Sequence, residues 1–185
     1  RSAVAFSVIQ IVNLLQKLGL ISDVSLKEIQ KGRELIVAHE EEIHQEAKKL
    51  AYFLKDKVIA IYAASHYEAV AVRARQQFNE NGKLLCWHHV IPEMNHNELV
   101  GWGGGDERFG ALFLDTQDFN PRNEKRLEFS LEVVKSKTEH IFLLKSQGES
   151  VIERSIYIIN LVDWASWYLS ELKEVDAMDI KVIDS

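Results

Sequence analysis

The run Val58-Ile59-Ala60-Ile61-Tyr62-Ala63-Ala64 constrains the fold more than any other segment. Seven apolar residues without alternation cannot form a strand with one wet face. They require a strand covered on both sides, as in the parallel sheets of α/β proteins. Apolar strands recur at Leu84–Val90, Ala111–Leu114 and Ile141–Leu144. Between them lie helical patterns at 65–81, stopped by Asn81-Gly82, and from Asn120-Pro121 to about Lys137, where Asn120 is a cap and Pro121 a first-turn proline. Strands alternating with helices imply right-handed βαβ units and a doubly wound, mainly parallel α/β sheet.

Before the first strand, Ala3–Leu18 reads as an apolar helix closed by Gly19. Ser25-Leu26-Lys27-Glu28 reads as a capping box opening one long amphipathic helix to Leu54, with Glu40-Glu41-Glu42 on its solvated face. Ser146–Glu149 reads as a further box launching the Trp- and Ile-rich helix Val151–Leu172. Glu153, Arg154, Asp163 and Glu171 make that helix a core element and not a membrane span. The expected organisation is leading helices over 1–56, an α/β domain over 57–173 and a tail over 174–185.

At 185 residues and 46% hydrophobic, the chain can bury a real core. Its net charge of −6, with basic residues dispersed, argues against a nucleic-acid partner. One cysteine, Cys86, excludes a disulfide framework and points to a reducing, cytoplasmic setting. The chain opens at Arg1-Ser2-Ala3 without an initiator Met and reads as a fragment.

Between the second and third strands lies a gap of nearly twenty residues containing Pro92-Glu93-Met94-Asn95-His96-Asn97-Glu98-Leu99-Val100-Gly101-Trp102. Connections that long in compact domains are functional or disordered, and the Met, Leu, Val and Trp argue against disorder. Ligands of open α/β sheets bind beyond the carboxyl ends of the strands, where Ser65 and this loop begin. Ser65-His66-Tyr67-Glu68 suits anion binding by free backbone N–H groups, but a capping box explains it as well. Gly103-Gly104-Gly105 lacks the Lys-Ser/Thr of a phosphate loop and reads as a flexible insertion. No metal is expected: His39 and His44 are five apart, and His88 and His89 point to opposite faces of a strand. Cys86 reads as a small core hydrophobe. Glu80 ends its helix, where the helix dipole disfavours a carboxylate, a setting useful to a group that takes and returns a proton.

The run Gln77-Phe78-Asn79-Glu80-Asn81, with His96 sixteen residues after Glu80, resembles the second sugar-isomerase (SIS) domain of the bifunctional phosphoglucose/phosphomannose isomerases. Pro121-Arg122-Asn123, Gly148-Glu149-Ser150, Val162-Asp163-Trp164, Tyr168-Leu169 and Val175-Asp176 agree, so the similarity covers nearly the whole chain. The resemblance implies an aldose–ketose isomerase that interconverts glucose, fructose and mannose 6-phosphates through a cis-enediol, without a cofactor. It implies that Glu80 shuttles the proton between C1 and C2. It implies that His96 opens the sugar ring from across a homodimer interface, and that Arg1 stabilises the intermediate. On that reading Met94, Leu99, Val100 and Trp102 are buried against the partner, while Asn95, Asn97 and Glu98 hold the imidazole. The family's first SIS domain, which grips the phosphate, is missing here. So is its C-terminal lysine: the chain stops at Ile183-Asp184-Ser185, and Lys181 is out of position. The chain therefore reads as the C-terminal half of such an enzyme. The alternative is a non-catalytic SIS domain that binds sugar phosphates or serves as a dimerisation platform.

Overall fold

Four parallel strands form one sheet in a computed structural model that describes residues 4–181. Arg1 lies outside the described residues. The strands are β1 (Val58–Ala64), β2 (Cys86–Ile91), β3 (Phe109–Asp115) and β4 (Ile141–Lys145), in the order β2-β1-β3-β4. β1 pairs with both β2 and β3, through Tyr62↔His89 and Tyr62↔Phe113 among others. Every residue of β1 after Val58 is buried, as its unbroken apolar run requires.

Alternate residues of β1 feed two separate cores. Ile59, Ile61 and Ala63 pack with three helices: α3 (Glu40–Leu54), α4 (Glu68–Glu80) and α7 (Val151–Leu172). Ala60 and Tyr62 face the other way, onto α6 (Pro121–Lys135) and the segment after β2. That segment supplies Met94, Leu99 and Trp102 to the second core. α6 and this segment share the cover of that face, so the segment is packed and not left free.

α7 spans the residues its sequence indicated. Its cap, however, is Ser150 and not Ser146: the Ser150 hydroxyl accepts from the Glu153 N–H, and the Glu153 carboxylate accepts from the Glu149 N–H. Ser146 instead donates its N–H to the Asp115 carbonyl and prolongs the sheet. Asn120 caps α6 as expected, accepting from the N–H groups of Arg122 and Asn123.

The long helix expected over 26–54 is two, α2 (Val24–Ala38) and α3, broken at His39. Asp23, without a side-chain cap bond, precedes α2, so the Ser25 box does not form. The acidic triplet opens α3, where the helix dipole favours carboxylates, and Glu42 reaches back to the His39 Nδ1 at 2.7 Å. The break lets both helices lie along α7. Gly32 of α2 sits so close that an added Cβ would come within 2.6 Å of the Ile156 side chain.

α1 (Val4–Lys17) ends in the Gly19 turn that its sequence indicated. Leu20 N–H bonds to Leu15 O and Gly19 N–H to Gln16 O, with Gly19 at φ 70°. None of its residues is buried, and Phe6, Ile11 and Leu14 are more than half exposed. Among the described residues no helix is long and apolar enough to cross a membrane.

Candidate active site

The segment after β2 is built from short turns held by side chains, not from a regular element. After Ile91, residues Glu93–Asn95 make one 3-10 turn, Glu98–Gly101 form α5, and Trp102–Gly104 make a second 3-10 turn. Met94 and Trp102 plug the second core, and Trp102 reaches Phe109, which pairs with Val58 at the first residues of their strands. The segment thus leaves the carboxyl edge of the sheet and runs back along its face toward the amino edge. Gly103 and Gly104 belong to that second 3-10 turn, and Gly105 after it lies against the Trp102 ring, where a Cβ would approach within 2.7 Å.

Glu98 pins this segment to the sheet. Its Oε1 accepts from the Tyr62 hydroxyl at 2.6 Å and from the Trp87 indole N–H at 2.9 Å. Its Oε2 meets the His89 Nδ1 at 2.8 Å. Trp102 closes the network by donating its indole N–H to the Tyr62 oxygen at 2.8 Å. Burial, with the Glu98 charge added to it, pushes the Tyr62 phenol far above its ordinary range. Hydrogen bonds to a charged acceptor in a dry site are among the stronger ones, so this network sets the position of the whole turn. The role of Glu98 went unseen in the sequence. The signal that could have found it is parity: Tyr62, Trp87 and His89 share one face of adjacent strands and need an acceptor there.

His96 stands at the tip of the same turn and is exposed. Its backbone N–H donates to the Glu93 carbonyl, and among the described residues no side chain hydrogen-bonds its imidazole. This corrects one expectation. Glu98 holds the turn and not the ring, and the Asn95 amide donates to the Ser130 hydroxyl on α6 at 2.7 Å. A second correction concerns the apolar residues. Met94, Leu99 and Trp102 are buried against their own sheet, and only Val100, 78% exposed, is free to meet a partner.

Glu80 lies elsewhere. It ends α4, half-buried, and its backbone carbonyl accepts from the Lys83 ammonium at 2.7 Å. α4 runs antiparallel to the strands, so its last turn falls at the amino edge: the Asn79 amide reaches the carbonyl of Cys86, the first residue of β2. Asn81 donates to the Ser166 hydroxyl at 2.8 Å and ties this turn to α7. Cys86 is buried, and burial pushes its thiol up, as for a small core residue. α4 packs with Ile59, Ile61 and Ala63, whereas the His96 turn packs with Ala60 and Tyr62. The four-stranded sheet therefore separates Glu80 from His96 within one protomer.

At the carboxyl edge, Ser65–Tyr67 make a 3-10 turn without a side-chain cap, so the expected box does not form. Asp118 organises this corner. It accepts from the Thr116 hydroxyl at 2.6 Å and the Tyr67 hydroxyl at 2.7 Å, with Arg154 at 3.4 Å. Burial works against the Asp118 charge, but these hydrogen bonds and His66 outweigh it and hold the carboxyl below its usual range. The cations of this corner are thus already engaged by a carboxylate, which does not suit an anion. His88 and His89 do face opposite ways, His88 toward Glu68 at 3.8 Å and His89 toward Glu98.

The geometry, with a carboxylate ending α4 and an imidazole held out on a pinned turn, can be set beside known proteins. A family model described as the bacterial phospho-glucose isomerase C-terminal SIS domain matches residues 43–185. The chain belongs to this family. Among curated relatives of the SIS family, a bifunctional phosphoglucose/phosphomannose isomerase of Aquifex aeolicus is 28% identical over 188 residues, covering all of this chain and 56% of that protein. One from Caldicellulosiruptor bescii is 31% identical and is covered over 57% of its length. The chain thus spans about half the length of the curated relatives it matches. Solved SIS-type structures agree on the fold. A glucose-6-phosphate isomerase-like protein of Thermus thermophilus superposes with a TM-score of 0.70 at 18% identity, over 92% of this chain and 57% of that one. The C-terminal domain of a Francisella tularensis glucosamine-fructose-6-phosphate aminotransferase gives 0.67 at 13% identity, over 86% of this chain and 49% of that one.

Proposed function

We propose that this chain is the C-terminal, base-carrying half of a cytoplasmic phosphoglucose/phosphomannose isomerase, working with a preceding SIS domain in a homodimer. The substrate is the open-chain form of glucose 6-phosphate or mannose 6-phosphate. The Glu80 carboxylate takes the proton from C2, electrons move to the C1 carbonyl oxygen, which gains a proton, and a cis-enediol forms. The protonated Glu80 then delivers its proton to C1, after partial exchange with solvent, while the C2 hydroxyl gives up its proton and becomes the carbonyl of fructose 6-phosphate. His96 moves the protons that open the ring, an imidazole being able both to donate and to accept them. Arg1 would stabilise the negative charge of the intermediate. The phosphate is held by the preceding domain, whose remote binding energy orients the reacting carbons.

One observation supports this reading above the others. The His96 turn is fastened by Glu98 to Tyr62, Trp87 and His89, yet leaves the imidazole itself exposed. An exposed imidazole carried on a pinned turn suits a group that must serve a site outside its own protomer. The decisive experiment uses the full-length protein with Glu80→Gln. The amide keeps the shape but cannot accept a proton at neutral pH, so isomerisation and exchange of the substrate C2 hydrogen with deuterated solvent should both fall at least ~10²-fold. Exchange at the wild-type rate would remove Glu80 from the role and favour a domain that binds sugar phosphates without turning them over.

A further inference from the structure

The turn that carries His96 also encloses a slot that the isomerase reading does not use. Its volume is about 230 Å³, and Trp87, Trp102 and Phe109 form its walls. Phe109 meets both indoles nearly edge-on, with centroids 6.5 Å from Trp87 at 77° and 6.2 Å from Trp102 at 74°. Three rings set at such angles make a box and not a stack.

The floor of the box is charged. Glu98 lines it with a side chain 21% exposed, and although its oxygens also hold Tyr62, Trp87 and His89, its charge bears on anything in the slot. No lysine or arginine lines the slot. Aromatic faces carry the negative part of the ring quadrupole and attract cations, most strongly at tryptophan. A carboxylate in a partly dry pocket adds to that attraction and repels anions. A phosphorylated sugar is therefore the wrong guest.

The rim carries a second signal. Gly101 has an ordinary helical φ of −58°, and a Cβ at Gly101 or Gly104 would meet nothing within 4 Å. Neither backbone conformation nor packing asks for glycine at these two places. Both line the slot, and glycine is the residue that lets a ligand come close to backbone.

We propose that the Trp87–Trp102–Phe109 box, with Glu98 at its base, binds an alkylammonium group. The group belongs to a small free cation or to a lysine side chain of a second copy; the chemistry is the same. The site is separate from Glu80 and from the exposed His96 imidazole.

The test is a titration of the intrinsic tryptophan fluorescence of the 185-residue chain with tetramethylammonium chloride at constant ionic strength. The neutral isostere tert-butanol is titrated in parallel. A saturable change is expected, at least roughly tenfold weaker for tert-butanol, the factor that a cation–π and carboxylate contribution of ordinary size gives. Glu98→Gln should reduce the preference for the cation. Because that change also touches the anchor of the turn, Gly104→Leu serves as a second variant. It should abolish binding while leaving far-UV circular dichroism and the urea midpoint unchanged, since its Cβ meets open space. Equal response to both probes would reduce the slot to an apolar crevice and overturn the proposal, as would no saturable response to either. Sedimentation with and without the cation separates the two sources: dissociation of a dimer marks a lysine of the second copy, and an unchanged species marks a free ligand.

Discussion

Glu80 and His96 flank β2 in the chain, yet the elements that carry them pack on opposite faces of the sheet. Glu80 closes α4 over Ile59, Ile61 and Ala63, and His96 projects from the turn that covers Ala60 and Tyr62. Strand geometry makes this unavoidable, because neighbouring side chains of β1 point to opposite faces and each element follows its own set. On the proposed reading His96 is drawn from a second chain, which meets this separation.

Mixing tests that arrangement. Full-length Glu80→Gln and His96→Ala proteins, each nearly inactive, are combined under conditions of subunit exchange. Heterodimers with a two-fold interface then contain one site with both residues intact. Activity is expected to return to about half the sites of those heterodimers. Persistent inactivity, with exchange verified by mass, would place both residues' functions within a single chain and sink the shared site.

The 185-residue chain by itself should show no measurable isomerase activity. It spans 56% of the Aquifex aeolicus relative, and on the proposed reading the missing part holds the phosphate. Losing remote binding energy lowers the rate of the chemical step and not only the affinity. Coupled assay of fructose 6-phosphate formation checks this, and robust turnover by the purified chain would contradict it.

Met94 and Val100 should separate folding from association. Met94 is fully buried, so Met94→Ala leaves a cavity and should cost about 2–5 kcal/mol in urea unfolding of the isolated chain. Val100 is 78% exposed, so Val100→Lys should change that stability by no more than about 0.5 kcal/mol. In the full-length protein the order reverses for pairing. Val100→Lys should weaken the dimer, because a charge would enter the face that carries His96. An unaltered dimer dissociation constant would free Val100 of any interface.

Much of the fold was legible because backbone periodicity states it directly. The continuous run at Val58–Ala64 implied a doubly covered strand, and Asn120-Pro121 implied the start of α6. Helix ends were harder. Ser146-Gln147-Gly148-Glu149 and Ser150-Val151-Ile152-Glu153 both have the spacing of a capping box, and only the extension of β4 by the Ser146 N–H decides between them. The kink at His39 was invisible for a similar reason. Apolar spacing continues through it, and the contacts that α2 and α3 each make with α7 are tertiary and leave no local signal. In the candidate site, Glu80 and His96 stood out through a motif. The anchor made by Tyr62, Trp87, His89 and Glu98 did not, because it joins two strands and a turn that only the register of the sheet brings together.

The same anchor leaves a signature at high pH. Tyr62 and Tyr67 are both buried, each beside a carboxylate, and both phenols are pushed well above their ordinary value of 10.0. A group whose pKa is raised by folding lends stability that is complete below the unfolded pKa. That stability is lost as pH climbs toward the folded one. Stability of the chain should therefore be insensitive to these tyrosines up to about pH 10 and then fall by about 1.4 kcal/mol per pH unit for each. Tyrosinate absorbance and circular dichroism should change together, since these two phenols ionise only as the sheet opens. For Tyr62 burial is the larger cause and Glu98 the next, so Glu98→Gln should lower the pH at which its phenol ionises without restoring an ordinary titration. Complete titration of all five tyrosines near pH 10 in folded protein would show that Tyr62 is not enclosed by the Glu98 network, and the anchoring of the His96 turn would fail with it.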